Sequence, residues 1–203
     1  MNVRPLPDDP IAAARNTASA WNVANGLTVL RLLLVPVFAL VLFHGDGHET
    51  GWRIGACAIF VAASITDRLD GELARKRRLV TEFGKLADPI ADKALVGTAL
   101  VGLSALNDLA WWVTIVILAR DVGVTVLRFW VIRHGVIAAS RGGKVKTLLQ
   151  TVAIGLYLLP LSGWLHVVAM VVMGAAVALS LVTGADYVAR AVRLRRQART
   201  AAA

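Results

Sequence analysis

Long apolar runs, separated by short segments that hold most of the basic residues, constrain this chain more than any other feature. Crossing the bilayer core takes about 18 or more apolar residues in a helix. Six segments are candidates: Leu27 to Phe43, Trp52 to Thr66, Ile90 to Leu106, Leu109 to Ala119 with its continuation to Trp130, Leu148 to Leu161, and Trp164 to Tyr187. Several are short for a full crossing, so their helices are expected to run into the flanking polar segments. The pattern predicts an all-α integral membrane protein with six transmembrane helices. Composition agrees: 57% of the residues are hydrophobic and 17% charged, against about 25% charged in an ordinary soluble domain. So much apolar surface excludes a disordered or solvated linker protein.

Orientation follows from where the basic residues fall. The loop His44 to Thr50, the Asn107-Asp108 turn and the Ser162-Gly163 turn contain no Lys or Arg, whereas Asp67 to Ala87 and Arg120 to Lys146 hold six each and the stretch after Tyr187 holds five. Strict alternation of this kind predicts six spans with both termini in the cytoplasm of a multi-pass cell-membrane protein. A soluble helical bundle would not produce it. The formal charge of +9 would also suit nucleic acid, but its position assigns it to a cytoplasmic face lying against anionic lipid, with no nucleic-acid partner.

Residues 1–20 are polar, with Pro5, Pro7 and Pro10, and form an arm rather than a secretory signal. Residues 21–189 form one six-helix domain, and residues 190–203 form a basic tail whose arginines suit lipid anchoring. Cys57 is the single cysteine, which excludes an intrachain disulfide and a Cys-based metal site. Pro36 and Pro160 are candidate helix kinks. Trp111, Trp112 and Trp164 stand at span ends, where aromatic belts form. His134 and His166 lack a companion at metal-ligand spacing, and His44 and His48 fall on the face opposite the basic loops.

The acids are scarcer and more informative. Asp67, Asp70, Asp88 and Asp92 stand at the edges of two apolar spans, where a carboxylate is costly unless solvated, paired or bound to a cation. Spacings of three and four put each pair on one helical face. Two such faces brought together make an all-oxygen site suited to Mg²⁺ or Mn²⁺. Any one of these aspartates would equally serve as a loop charge paired with Arg68, Arg75 or Lys85. The four together are harder to dismiss, because Gly71 and Ala74 let a bulky ligand approach the backbone and Gly84 permits close helix packing. Pro89 disfavours helical geometry at Asp88, so Asp88 is expected as an N-cap with Pro89 at the first helical position.

The pattern Asp67-x2-Asp70-Gly71-x2-Ala74-Arg75-x8-Gly84-x3-Asp88-x3-Asp92 resembles, at every fixed position, the signature of the CDP-alcohol phosphatidyltransferases. The resemblance extends to Asn25 through Arg31 near the first span. The stretch Arg120 to Gln150, with its run Ala138 to Thr147, is similar to the branch whose acceptor is glycerol 3-phosphate.

The resemblance implies transfer of a phosphatidyl group from CDP-diacylglycerol to sn-glycerol 3-phosphate on the cytoplasmic side, with release of CMP. It implies two Mg²⁺ or Mn²⁺ ions held by Asp67, Asp70 and Asp88, with Asp92 contacting the second ion and acting as general base. Asn25, Thr28, Gly71, Ala74, Arg75 and Thr81 match positions around the cytidine diphosphate. It implies a homodimer as well. Arg120, Arg141, Lys144 and Lys146 lie on the same side as the aspartates and suit the acceptor's phosphate, although topology alone also calls for basic residues there.

Two rivals follow from the same residues. One keeps the chemistry and changes the acceptor to inositol phosphate, serine or a second lipid. The other is a cation transporter using the aspartates as an ion site, which leaves Gly71, Ala74 and Gly84 unexplained and predicts acids deep inside the other spans, where none is expected.

Overall fold

The computed structural model describes the backbone of residues 23–77, 82–131 and 141–200, and the side chains of residues 26, 28–66, 90–91, 93–127 and 142–193. The N-terminal arm, Thr81 and His134 lie outside these. Six α-helices follow in order: α1 (Val23–Phe43), α2 (Thr50–Arg77), α3 (Glu82–Ala105), α4 (Trp111–Val131), α5 (Arg141–Leu158) and α6 (Trp164–Thr200), with a 3-10 turn at His44–Gly47 between α1 and α2. No strand occurs among the described residues. Each apolar segment of the sequence supplies one helix.

Two helices are long and apolar enough to cross a membrane, within Thr28–Gly47 and Trp164–Arg193, and Thr50–Thr66 and Lys93–Ala105 are shorter apolar stretches. At about 1.5 Å per residue, the 21 residues of α1 and of α4 match the hydrocarbon thickness. The 37 residues of α6 exceed it, so the basic stretch from Arg190 continues as helix to Thr200.

The helix ends correct the sequence reading in three places. Pro160 does not kink a helix: α5 stops at Leu158, because proline has no N–H to donate and disfavours helical geometry at the residue before it. Pro36, by contrast, lies inside α1. Asp88 is not an N-cap. Helix α3 begins at Glu82 and continues through Pro89, giving up the bond Pro89 cannot make, a loss that membrane helices tolerate where neighbours re-satisfy the freed carbonyl. Between α3 and α4, Asn107 adopts φ 63°, and the Asp108 and Asn107 amides donate to the carbonyls of Leu103 at 2.9 Å and Ser104 at 3.1 Å. This Schellman closure delays the start of α4 to Trp111.

The core is apolar and is built by all six helices, with Met173, Ala176 and Val177 contributed by α6. Phe38, Leu42, Phe60, Leu100, Leu103, Ile117, Ile154 and Leu158 are fully enclosed, with the Phe38 and Phe60 rings 6.1 Å apart. Outward faces are apolar too: Leu40 is 73% exposed, Val171 66% and Val182 66%. Patches of that kind are rare on soluble monomers and suit contact with lipid.

One end of the bundle is latched by Arg53, which is buried on α2. Its guanidinium donates to Asp108 Oδ2 at 2.6 Å, to the Gly47 carbonyl at 3.3 Å and to the last carbonyls of α5, Tyr157 at 2.7 Å and Leu158 at 3.1 Å. A cation is favourable at a helix C-terminus, and the planar fork of arginine reaches several acceptors at once. This contact fixes the ends of α1, α3 and α5 and the start of α2 on one face, so the opposite ends of those helices face the other way.

Candidate functional site

Helices α2 and α3 carry the aspartate pattern. Asp67, Asp70, Gly71, Ala74 and Arg75 fall on the last turns of α2, and Asp88 and Asp92 on the first turns of α3. The two helices pack against each other and are joined by residues 78–81 alone, so both pairs lie toward the end away from the Arg53 latch. The side chains of these residues, and those of Asn25 and Arg141, lie outside the described residues. With Asp88 inside α3, each pair is three or four residues apart on a continuous helix and shares a face. An all-oxygen donor set on two adjoining helices fits a hard divalent cation.

Helix α1 adds two polar groups on its inner face. Thr28 is 3% exposed and Arg31, one turn on, is 2% exposed. Thr28 therefore points into the bundle. An arginine enclosed in an apolar helix marks a functional site by default.

A second polar centre lies between α3, α4, α5 and α6. Lys146 is 4% exposed, and its ammonium donates to Asp121 Oδ1 at 2.6 Å and Oδ2 at 2.7 Å. Arg120 donates to Asp121 Oδ1 at 3.0 Å, to the Ser180 carbonyl at 3.0 Å and to Thr183 Oγ1 at 2.9 Å. Lys93 of α3, next in sequence to Asp92, donates to the Asp121 carbonyl at 3.1 Å and to Thr125 Oγ1. Gly184 lets the Arg120 stem lie against α6, since a Cβ there would stand 3.0 Å from Arg120 Cγ.

The level of this centre is set by counting along the helices from the latched end. Asp121 is ten residues past Trp111, Lys93 twelve before Ala105 and Lys146 twelve before Leu158, or about 15–18 Å of rise. Asp92 is one residue further along α3 at the same level.

Two of the four basic residues expected at the acceptor's phosphate, Arg120 and Lys146, are thus brought together on one carboxylate. Lys144 is exposed and Arg141 opens α5, so residues 141–147 of the glycine-containing run form the first turns of a helix. Asp121 also corrects the expectation that no acid lies deep inside the other spans: it sits in the middle of α4. The apolar pattern of α4 hid it, because an ion pair formed in three dimensions leaves no local mark in sequence. Lys93 was missed for the same reason. The available signal was a charged residue in the middle of α3 and of α4, at Lys93 and Asp121.

The described histidines have structural partners. His166 packs on Tyr157 with ring centres 6.0 Å apart, and His48 Nδ1 donates to the Asp46 carbonyl at 2.8 Å. Trp111, Trp112 and Trp164 stand at the starts of their helices and are 50%, 61% and 73% exposed.

Comparison with known proteins gives a consistent result. The sequence model of the CDP-alcohol phosphatidyltransferase family matches residues 21–182. A probable phosphatidylglycerophosphate synthase of Mycobacterium tuberculosis (strain H37Rv) is 63% identical over 172 residues, covering 85% of this chain and 82% of that protein. The CDP-diacylglycerol–glycerol-3-phosphate 3-phosphatidyltransferase of Bacillus subtilis (strain 168) is 38% identical over 149 residues, covering 68% and 77%. The enzyme of that name in Rickettsia felis is 37% identical over 171 residues, covering 82% and 93%.

Proposed function

The chain belongs to the CDP-alcohol phosphatidyltransferase family, and from that membership we propose that it is a phosphatidylglycerophosphate synthase. It transfers the phosphatidyl group of CDP-diacylglycerol to sn-glycerol 3-phosphate, giving phosphatidylglycerol phosphate and CMP. The observation that carries this reading is the 63% identity to the mycobacterial synthase over most of both chains. The Asp121, Arg120 and Lys146 centre supports it, because it puts phosphate-binding chemistry at the level of Asp92.

In this reading all six helices span the membrane, both termini are cytoplasmic, and the aspartates open to the cytoplasm. The chain pairs as a homodimer. Asp67, Asp70, Asp88 and Asp92 would hold two divalent cations, Mg²⁺ or Mn²⁺. When bound, these ions neutralise charge on the diphosphate and on the departing CMP.

The protein's own residues do the rest. Thr28 and Asn25 on α1, with Gly71, Ala74, Arg75 and Thr81, form the nucleotide cradle, where the missing or minimal side chains of Gly71 and Ala74 admit the flat base and the phosphates. Arg120 and Lys146, with Arg141 and Lys144 toward the cytoplasm, hold the acceptor's phosphate by charge-assisted hydrogen bonds. Holding the acceptor by its phosphate leaves its hydroxyl end toward Asp92. Asp92 accepts the hydroxyl proton as the oxygen bonds the phosphatidyl phosphorus. The phosphorus–oxygen bond to CMP breaks, and CMP leaves with the electron pair. Position matters more than basicity for this carboxylate. The apolar outer faces of the helices leave the acyl chains in the bilayer.

The test is acceptor-dependent CMP release by the purified protein in detergent, with CDP-diacylglycerol and Mg²⁺ or Mn²⁺. Release that needs glycerol 3-phosphate supports the proposal. Release with inositol phosphate or serine alone keeps the chemistry and overturns the acceptor; no release with any acceptor overturns the enzyme.

A further inference from the structure

Asp121 is a carboxylate where the proposed function calls for cations. A phosphate dianion and an unpaired carboxylate at one place would repel each other, so its presence needs an explanation. The geometry supplies one. Both Asp121 oxygens face the Lys146 ammonium, at 2.6 and 2.7 Å, and Oδ1 also accepts from Arg120. Its charge is therefore neutralised by the two groups expected to meet the substrate. Lys146 is 4% exposed, so its ammonium is enclosed in the bundle against Asp121. Arg120 uses three of its five N–H donors on Asp121, Ser180 and Thr183, leaving two without an acceptor among the described residues. Gln150, one turn along α5 from Lys146, is 4% exposed, and its Oε1 has no partner among the described residues. This wall of α5 is thus polar beyond what internal pairing uses.

Resting on the proposed acceptor, we propose that Asp121 is a positioning residue for the acceptor's phosphate. It gathers Lys146 from α5 and Arg120 from α4 around one carboxylate and sets that pair, with the two remaining N–H groups of Arg120, to meet a phosphomonoester. Lys93 fixes the backbone of Asp121 through its carbonyl, which ties the position of this anchor to α3, the helix of Asp92. The recognised group is a phosphomonoester on a small alcohol. An acceptor lacking phosphate would make no use of it.

The experiment compares Asp121→Asn, Asp121→Glu, Lys146→Met and the double variant Asp121→Asn/Lys146→Met in the full-length protein. The KM for glycerol 3-phosphate and the KM for CDP-diacylglycerol are measured separately. The double variant removes the Asp121–Lys146 ion pair as a unit and leaves Arg120 its Ser180 and Thr183 acceptors, so it stays informative where Asp121→Asn alone fails to fold. Asp121→Asn is expected to raise the KM for glycerol 3-phosphate about tenfold or more, the worth of one charge-assisted hydrogen bond, with the KM for CDP-diacylglycerol unchanged. Asp121→Glu should recover part of the loss. The double variant should be no worse for glycerol 3-phosphate than Lys146→Met alone, because Asp121 acts through the lysine. Asp121→Asn raising both KM values alike, or a double variant whose losses multiply, overturns the positioning role. Lys146→Met leaving the KM for glycerol 3-phosphate unchanged overturns the acceptor site itself.

Discussion

Gly184 of α6 lies against the side chain of Arg120 of α4, where an added Cβ would meet Arg120 Cγ at 3.0 Å and Nε at 3.2 Å. Alanine at this position gains about 1 kcal/mol of helix propensity, while overpacking costs about 1–3 kcal/mol. The two effects nearly offset, because the stem of an arginine can shift. Its guanidinium cannot shift freely, being held by Ser180, Thr183 and Asp121. Gly184→Ala is therefore expected to leave the melting temperature in detergent nearly unchanged. It should raise the KM for glycerol 3-phosphate about threefold to tenfold, by weakening one charge-assisted contact. A native KM would show that the Arg120 position is unimportant to the acceptor.

The Arg53 latch is expected to be structural. Arg53→Met removes the donor shared by Asp108 and the carbonyls of Gly47, Tyr157 and Leu158, which should cost about 3 kcal/mol or more. Arg53→Lys should recover only part, since an ammonium cannot fork across acceptors on three segments. Thermal unfolding in detergent reads the loss, and KM values of the folded fraction should stay native. Changed KM values at unchanged stability would place the latch in the catalytic path.

Helices α3 and α4 are pinned by a buried hydroxyl pair. Ser104 Oγ and Thr114 Oγ1 are 2.7 Å apart, and Thr114 also donates to the Leu100 carbonyl at 3.1 Å. Thr114→Val leaves the Ser104 hydroxyl enclosed without its partner and should cost about 1–3 kcal/mol. Ser104→Ala/Thr114→Val should be more stable than Thr114→Val alone, because replacing both partners removes the orphaned group. Additive losses in a double-variant cycle would mean the two hydroxyls do not act as a pair.

Asp92→Asn keeps the size of the side chain and removes its capacity to take a proton. Binding of CDP-diacylglycerol, followed by equilibrium titration, should persist. The kcat should fall by about 10²–10⁴-fold, the usual contribution of a positioned general base. Turnover close to that of the parent protein would take Asp92 out of the base role.

The helices were legible in the sequence because each apolar run is long and bounded by charge or turn residues, as at Phe43 to Thr50 and Tyr187 to Arg196. The aspartate pattern was legible because its spacings are local to α2 and α3. Three features were not. Asp121 and Lys146 are 25 residues apart and meet only because α4 and α5 pack on α6. Arg53 reads as one more residue near a loop, and its acceptors on α5 lie 104 and 105 residues away. At Asp88 the local preference set by Pro89 was overridden by the continuity of α3. In each case the decisive term is tertiary: a carbonyl, carboxylate or helix surface brought from elsewhere in the chain.

Product analysis tests the central claim most directly. The purified protein would receive CDP-diacylglycerol, Mg²⁺ or Mn²⁺, and equal concentrations of glycerol 3-phosphate, inositol phosphate and serine, with the lipid products identified by mass spectrometry. The account predicts phosphatidylglycerol phosphate as the dominant product, formed in step with CMP. Phosphatidylserine, phosphatidylinositol phosphate or phosphatidic acid in its place would contradict it.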